Sequence, residues 1–113
     1  MSKCLFCEII AGRIPGEMVG QTDSLVAFRD INPQAPVHVL IVPKEHIESM
    51  RSLEKKHAPL VGEMALMAQQ LAEDVGYGQD YRLVMNTGIN AGQSVFHLHM
   101  HLLSGRDFTW PPG

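Results

Sequence analysis

The sequence predicts an α+β domain with a mainly antiparallel sheet of about five strands, one long helix and a short N-terminal helix. Three observations support this prediction. Short β-branched and aromatic segments alternate with turn residues along the chain, as in antiparallel sheets. The segment from about residue 52 to 76 instead repeats its apolar residues at helical spacing. A chain of 113 residues with 45% hydrophobic and 19% charged residues is ordinary for a single domain covering 1–113.

The first half of the chain contains the short helix and a hairpin. Residues 4–11 are predicted to be helical and to end at Gly12, because glycine is favoured just past a helix end. Residues 18–22 and 24–30 are predicted to pair as a hairpin through the turn at 22–24.

The middle of the chain supplies the central strand and the long helix. The two prolines in 32–36 predict a loop. Residues 38–43 form a continuous β-branched run, which predicts a strand covered on both faces. The period becomes helical from about 52 to 76, and Pro59 suits the first turn of the helix predicted there. Another strand is predicted over 81–87.

Three histidines alternate with apolar residues near the C-terminus, in Val95-Phe-His-Leu-His-Met-His-Leu-Leu103. Alternation predicts a half-buried strand over 95–103, because residues two apart point to the same face of a sheet. His97, His99 and His101 are therefore expected on one face, with the apolar residues between them in the core. Three imidazoles on one face predict a chemical site.

Three interpretations of these histidines remain open. Three imidazoles can hold a catalytic zinc with a bound water. Alternatively, a neutral imidazole can act as a nucleophile while its neighbours hold a phosphoryl group and move protons. The third interpretation is structural, with all three histidines satisfied in the core.

The loop before the histidines favours phosphate chemistry. Gly88, Gly92, Gln93 and Ser94 offer backbone N–H groups, an amide and a hydroxyl, which are the groups of an anion-binding nest. Read alone, the same segment is equally well a simple turn.

Composition argues against other classes of function. The net charge is −3, and no basic stripe is present that would attract nucleic acid. No apolar run approaches the roughly 20 residues that span a bilayer. The N-terminus does not resemble a signal peptide, and a cytoplasmic protein is expected.

The segment from Gln93 to Leu103 resembles the signature of the histidine triad (HIT) family, His-φ-His-φ-His-φ-φ with φ apolar. The segments Phe28–His38 and Val42–Ile47 are also similar to that family, as is the tail Trp110–Gly113. The Gln-Ser lead-in, the Trp-Pro-Pro-Gly end and the short length resemble the Hint branch rather than dinucleotide-cleaving Fhit-type members.

The resemblance implies hydrolysis of purine nucleoside phosphoramidates and aminoacyl-adenylate-like compounds without a catalytic metal. It assigns His99 as the nucleophile that forms a nucleotidyl-histidine intermediate. It places His101 at the phosphate, Ser94 and Gln93 near the scissile bond, and His38 in a proton relay. The alternative is a zinc-stabilised nucleotide-binding or regulatory protein with little catalysis.

The resemblance also implies a nucleotide site. Asp30 would hold the ribose hydroxyls, Asn86 would back the phosphate site, and Gly92 with Gln93 would lie beside the nucleotide. Read without the resemblance, Asp30 is a solvated turn residue and the apolar residues belong to the core. The apolar slot for the base would be formed by Leu5, Phe6, Ile9, Ile14, Phe28 and Ile31.

Cys4 and Cys7 form a Cys-x-x-Cys pair, which is half of a tetrahedral zinc site. His46 and His97 are the candidates for the other two ligands, as in similar bacterial-type HIT proteins. Free thiols and a redox pair are the alternatives. A bound zinc is expected to stabilise the fold rather than catalyse.

Three further expectations concern the surface. The resemblance implies a twofold homodimer whose sheets join into one. Trp110 is expected to anchor either the core or that interface. His57, at the start of the long helix, is expected to be solvated.

Overall fold

A computed structural model describes residues 4–113 and has the predicted α+β architecture. The five strands form one sheet in the order β1-β2-β3-β5-β4, and every neighbouring pair is antiparallel. Within this part of the chain, no helix is both long and apolar enough to cross a membrane. The helices are α1 (Leu5–Ile10) and α2 (Ala58–Asp74), and the strands are β1 (Met18–Gln21), β2 (Leu25–Arg29), β3 (Val37–Pro43), β4 (Tyr81–Val84) and β5 (Met100–Ser104).

The N-terminal helix and the hairpin follow the prediction closely. Cys4 caps α1 by accepting a hydrogen bond at Sγ from the Cys7 N–H, at 3.4 Å. Gly12 follows the helix with φ +79°, a backbone conformation that glycine adopts without strain. In the hairpin, the Thr22 hydroxyl accepts from the Leu25 N–H at 3.1 Å and stabilises the predicted turn.

The long helix begins at Ala58, with Pro59 in its first turn as predicted, although apolar residues at helical spacing were expected from about residue 52. The preceding segment instead forms two short 3-10 turns, Met50–Ser52 and Lys55–His57. The Glu54 N–H donates to His57 Nδ1 at 2.9 Å, and this contact fixes the turn that leads into α2. His57 is therefore buried, with 7% of its surface exposed, and the prediction that it is solvated was wrong.

The sheet is covered on both faces, because successive residues of each strand point to opposite sides. On one face, Met64, Ala68 and Ala72 of α2 pack against Ile41 and Leu102. On the other face, α1 packs against a second apolar cluster, which consists of Phe6, Ile9, Val26, Phe28, Leu40 and Val42. Every residue of β3 is buried, as predicted for the central strand.

The strand predicted over 95–103 is regular only from Met100, and it continues to Ser104. Before Met100 the backbone bonds to a loop instead: the Leu98 N–H donates to the Ile47 carbonyl at 2.6 Å. The alternation nevertheless holds, because Leu98 and Met100 still face α2. The β4 strand is likewise shorter than predicted and ends at Val84.

Met64→Ala tests the packing of α2 on the sheet. Met64 is fully buried in that core, and we expect its truncation to lower the free energy of unfolding by about 2–5 kcal/mol. Leu66→Ala is the matched control on the same helix, since Leu66 is 65% exposed and its truncation should change stability by about 0.5 kcal/mol or less. Urea unfolding of both variants measures this. Equal losses would contradict the described orientation of α2.

Candidate active site

Three strands present a row of side chains beneath α1. The strand registers place Phe28 of β2 opposite Leu40 of β3, and Leu40 opposite His101 of β5. Phe6 of α1 covers this row: its ring lies 5.4 Å from the Phe28 ring and 5.0 Å from the His99 ring, edge to face. The short helix α1 therefore covers the face of the sheet that carries these side chains.

A cavity of about 200 Å³ lies between this floor and α1. Asp30, Ser94, His99 and His101 supply polar groups to a lining that is otherwise largely apolar. All six residues predicted for the base slot line it: Leu5, Phe6, Ile9, Ile14, Phe28 and Ile31.

Leu40 and Val95 also line the cavity, although neither was predicted from the sequence to do so. The period-two pattern of β3 could have identified Leu40. It lies two residues from His38, and residues two apart on a strand share a face.

The tautomer of His99 follows from its backbone contact. His99 Nδ1 lies 2.7 Å from the His97 carbonyl oxygen, which can only accept, and therefore Nδ1–H donates. The Nε2 atom of a neutral His99 then carries the lone pair. A neutral imidazole with a free nitrogen beside a cavity is a nucleophile or a general base.

A second chain of hydrogen bonds sets the tautomers of His38 and His101. The Gln34 N–H donates to His38 Nδ1 at 3.0 Å, which leaves the His38 proton on Nε2. His38 Nε2 lies 2.8 Å from His101 Nδ1 and donates to it. Neutral His101 must therefore carry its proton on Nε2.

Burial keeps these imidazoles neutral near pH 7. Desolvation lowers the pKa of His38 and the pKa of His99, while the negative charge of Asp30 opposes both shifts. The pKa of His101 falls to about 4, first because of burial and then because of the positive charge that His99 and His38 would carry.

Asp30 is held at the edge of this network. Its Oδ1 accepts from the Asn32 N–H at 2.8 Å. Its Oδ2 lies 3.5 Å from His38 Nε2, which is too long for a strong hydrogen bond and leaves this oxygen able to accept from a ligand.

The loop before the histidines is built around Gln93. The Gln93 side chain is 3% exposed. Its Oε1 accepts from the Gly88 N–H at 2.9 Å, and its Nε2 donates to the carbonyls of Glu48 and Val95 at 2.8 and 3.1 Å. These contacts occupy both N–H donors of the Gln93 amide, and Gln93 therefore stabilises the loop. Ser94, the next residue, lines the cavity.

Gly92 and Asn86 lie together behind this loop. Gly92 has φ +98°, and a Cβ built there would lie 3.5 Å from the Asn86 amide nitrogen. The structure thus places Asn86, Gly92 and Gln93 outside the cavity lining. Gly92 and Gln93 belong to the loop that bears Ser94, and Asn86 lies beside Gly92.

The four predicted metal ligands come together in one cluster, Cys4, Cys7, His46 and His97. His97 Nδ1 lies 3.2 Å from Cys4 Sγ, 3.5 Å from Cys7 Sγ and 3.2 Å from His46 Nδ1. One imidazole nitrogen has a single lone pair or a single hydrogen and cannot bond to three neighbours at once.

These separations fit a metal ion at the centre of the cluster. Neighbouring ligand atoms on a tetrahedral zinc lie roughly 3.3–3.8 Å apart. His97 Nε2–H donates to the Pro43 carbonyl at 2.8 Å, which leaves the lone pair on Nδ1, facing the cysteines. Two thiolates and two imidazoles are a typical donor set for structural zinc.

The three triad imidazoles do not converge on one point. His97 faces the cysteines, whereas His101 faces His38 at 2.8 Å, the distance of a hydrogen bond rather than of two nitrogens on one metal. This geometry disagrees with a zinc held by all three triad histidines.

Trp110 in the C-terminal tail is 84% exposed. The expectation that it anchors the core is therefore wrong for the single chain. Its role at an interface stays a prediction.

Comparisons with known proteins agree with this architecture. A family model described as "Scavenger mRNA decapping enzyme C-term binding" matches residues 3–109. The crystal structure of a HIT family hydrolase from Legionella pneumophila Philadelphia 1 has a TM-score of 0.96 and 45% identity, and the match covers 98% of this chain and 100% of that chain.

Two curated plant proteins are similar over alignments of 114 positions, which cover 99% of this chain. The 14 kDa zinc-binding protein of Zea mays is 41% identical, and the match covers 89% of its length. Adenylylsulfatase HINT1 of Arabidopsis thaliana is 39% identical, with 78% of its length covered. Together with the family model and the fold, these similarities show that the chain belongs to the histidine triad (HIT) family.

Proposed function

We propose that this protein is a nucleotide hydrolase that releases purine nucleoside monophosphates from phosphoramidates and aminoacyl-adenylate-like compounds. One observation carries the proposal: the free Nε2 of neutral His99 and the Nε2–H of His101 belong to rings 5.0 Å apart at the same cavity. The hydrolase named among the structural relatives supports the same class of reaction.

The cavity divides into parts that match a nucleotide. The apolar part of the cavity, which Phe28, Ile14 and Ile31 help to line, would take the purine base. The free Oδ2 of Asp30 would accept hydrogen bonds from the ribose hydroxyls. The α-phosphate would then lie by Ser94 and His101, where a hydroxyl and an N–H can donate to its oxygens.

The first chemical step forms a nucleotidyl-histidine. The lone pair of His99 Nε2 attacks the α-phosphorus, the bond from phosphorus to the substrate nitrogen breaks, and the amine departs with its electron pair. The departing nitrogen is protonated from solvent before the bond breaks. His99 becomes a cation, and its Nδ1–H remains hydrogen-bonded to the His97 carbonyl.

The second step restores the enzyme. Water attacks phosphorus, the bond between phosphorus and His99 Nε2 breaks, and the electron pair returns to that nitrogen. The monophosphate leaves, and the water proton passes to solvent. In both steps His101 Nε2–H would donate to a phosphate oxygen, and His38 would hold His101 in that tautomer.

A sulfate leaving group is a second candidate. The Arabidopsis relative is named an adenylylsulfatase, and the same attack by His99 on an adenylyl phosphorus would release sulfate from adenylyl sulfate. Sulfate is a very weak base, and it can depart without a proton.

We further propose that the cysteine–histidine cluster binds a structural zinc ion. The donor set and its spacing support this, as does the zinc-binding relative in Zea mays. A zinc there would join α1, the segment after β3 and the segment before β5. The chemistry that it would supply is cross-linking by coordination, separate from the phosphate reaction.

The predicted homodimer and cytoplasmic location stay predictions. The edge strand β4 has a strand partner on one side only, and its Leu83 is partly exposed. An edge of this kind could pair with the same edge of a second copy and join two sheets into one.

His99→Ala tests the nucleophile. We expect release of AMP from a fluorogenic adenosine phosphoramidate to fall by roughly three or more orders of magnitude, because the proposed covalent intermediate forms on His99. AMP affinity, measured by calorimetry, should remain close to that of the wild type. No release by either protein, with AMP still bound, would favour the nucleotide-binding alternative.

The pH dependence of kcat/KM separates the two leaving groups. Protonated His99 has no lone pair, and because its pKa is lowered, both substrates should lose activity only below the ordinary histidine value of about 6.5. At alkaline pH, only the phosphoramidate should react more slowly, since its nitrogen must be protonated. An identical alkaline decline with adenylyl sulfate would instead indicate an acid on the enzyme.

Metal analysis of Cys7→Ser tests the zinc site. We expect about one zinc per wild-type chain and almost none in the variant. Loss of an ion present at 1,000 times its Kd should lower the free energy of unfolding by about 4 kcal/mol. Glu45→Gln, next to His46 but outside the cluster, is the matched control and should retain the metal. Wild-type protein without zinc after purification in zinc-supplemented buffer would refute the proposal.

A further inference from the structure

We propose that Arg106, in the C-terminal tail, is a positioning residue for the reaction. Arg106 holds the loop before β3 through a hydrogen bond to the backbone carbonyl of Gln34. The backbone N–H of Gln34 sets the tautomers of His38 and His101. Its expected effect on turnover rests on the proposed function, whereas its expected effect on the histidine tautomers does not.

The tail crosses the loop before β3 at very close range. After β5 the chain turns at Gly105, which has φ +95°. A Cβ built on Gly105 would lie 2.9 Å from Pro36 Cβ, a separation that a real side chain could not adopt without displacement. Glycine at this position therefore lets the tail lie directly on the loop and delivers Arg106 to Gln34.

The contact between Arg106 and Gln34 is specific. Arg106 Nε–H donates to the Gln34 carbonyl at 2.9 Å. The rest of the guanidinium is also held: its carbon lies 4.3 Å from the centre of the Phe108 ring, and Nη1 donates to the Asp107 carbonyl at 2.9 Å. Arg106 thus approaches Gln34 in a fixed orientation.

Gln34 also contacts the histidine network, through its backbone N–H. The Gln34 carbonyl receives Arg106, and the Gln34 N–H donates to His38 Nδ1 at 3.0 Å. Because both contacts are made by one backbone residue, holding the carbonyl restricts the torsions that aim the N–H. The loop is otherwise exposed to water from residue 31 to residue 34, where competing hydrogen bonds are available.

Loss of the hydrogen bond from the Gln34 N–H to His38 Nδ1 would remove the N–H donor that His101 directs at the phosphate. His38 could then carry its proton on Nδ1, which leaves an unprotonated Nε2 only 2.8 Å from His101 Nδ1. Two lone pairs at that distance repel, and His101 would move its own proton to Nδ1 to restore the hydrogen bond. His101 Nε2 would lose its proton and could no longer donate to the phosphate.

The test compares Arg106→Ala with Arg82→Ala in the full-length, zinc-loaded protein. Arg82 is a matched control, because its guanidinium also lies against the Phe108 ring, at 5.0 Å, and donates to the tail at the Thr109 carbonyl. It is not among the residues that contact Gln34 in the described part of the chain.

Nitrogen-15 NMR of the imidazole rings reports the tautomers directly. The wild type and Arg82→Ala should show His38 and His101 as single Nε2–H tautomers at pH 7.5. Arg106→Ala should show a mixture at both rings, and Arg106→Lys, which keeps a donor for the Gln34 carbonyl, should restore part of the wild-type pattern. Unchanged tautomers in Arg106→Ala, or equal changes in both alanine variants, would overturn the proposal.

Kinetics provide the second measurement. With the phosphoramidate substrate, kcat of Arg106→Ala should fall by roughly tenfold, equivalent to ~1.4 kcal/mol of activation free energy, with KM nearly unchanged. Arg82→Ala should keep the wild-type kcat. If the wild type itself releases no nucleotide, the proposed function fails, and the NMR comparison still decides the role of Arg106.

Discussion

Each of the four imidazoles His38, His97, His99 and His101 has one ring nitrogen held by a hydrogen bond, and this constraint decides what the other nitrogen can do. The partner is a backbone group for the first three and the His38 ring for His101. The Pro43 carbonyl takes the proton of His97, and the His97 carbonyl takes that of His99. The backbone N–H of Gln34 instead donates to His38, which in turn donates to His101. Chemically identical side chains thereby acquire a lone pair that faces the cysteines in His97, a free lone pair beside the cavity in His99 and an N–H donor in His101.

Burial strengthens this division of roles. The protein interior disfavours charged imidazolium, which lowers the pKa of His38, the pKa of His99 and the pKa of His101. Neutral rings keep one donor and one acceptor each, and only neutral rings can have their tautomers set by single backbone contacts. The apolar roof that α1 places over the sheet is therefore part of the chemistry as well as of the core.

The triad histidines contribute to two different places in the structure although they lie within five residues of sequence. These places are the cysteine–histidine cluster and the cavity beside His38. His97 lies before the regular strand and reaches the cysteine pair at the start of α1, while His101 lies inside β5 and reaches His38 on β3. A metal ion in the cysteine–histidine cluster, as proposed, would hold in place the helix α1 that covers the cavity. The cluster and the cavity would then be linked through the five residues from His97 to His101.

The sequence by itself determined the fold class, the hairpin, the central strand and the face on which the histidines lie, because these depend on local periodicity. Two cysteines three residues apart indicated half of a metal site, and the resemblance to the HIT family indicated the residues of the slot. The 3-10 turns before α2 and the start of regular β5 were not predictable locally. They depend on the capping contact of His57 and on the hydrogen bond from Leu98 to Ile47, which form between segments already brought together.

Only the tertiary structure decided the tautomers, the buried state of His57, the exposure of Trp110 and the contact of the tail with the loop before β3. A tautomer depends on which donor or acceptor, from the backbone or from another side chain, lies within about 3 Å of a ring nitrogen. For His38 and His101 those groups lie on different strands and loops, separated by up to 63 positions in the sequence. Sequence periodicity fixes the face on which a side chain points, but the identity of its partner across that face is decided by the packing of the whole chain.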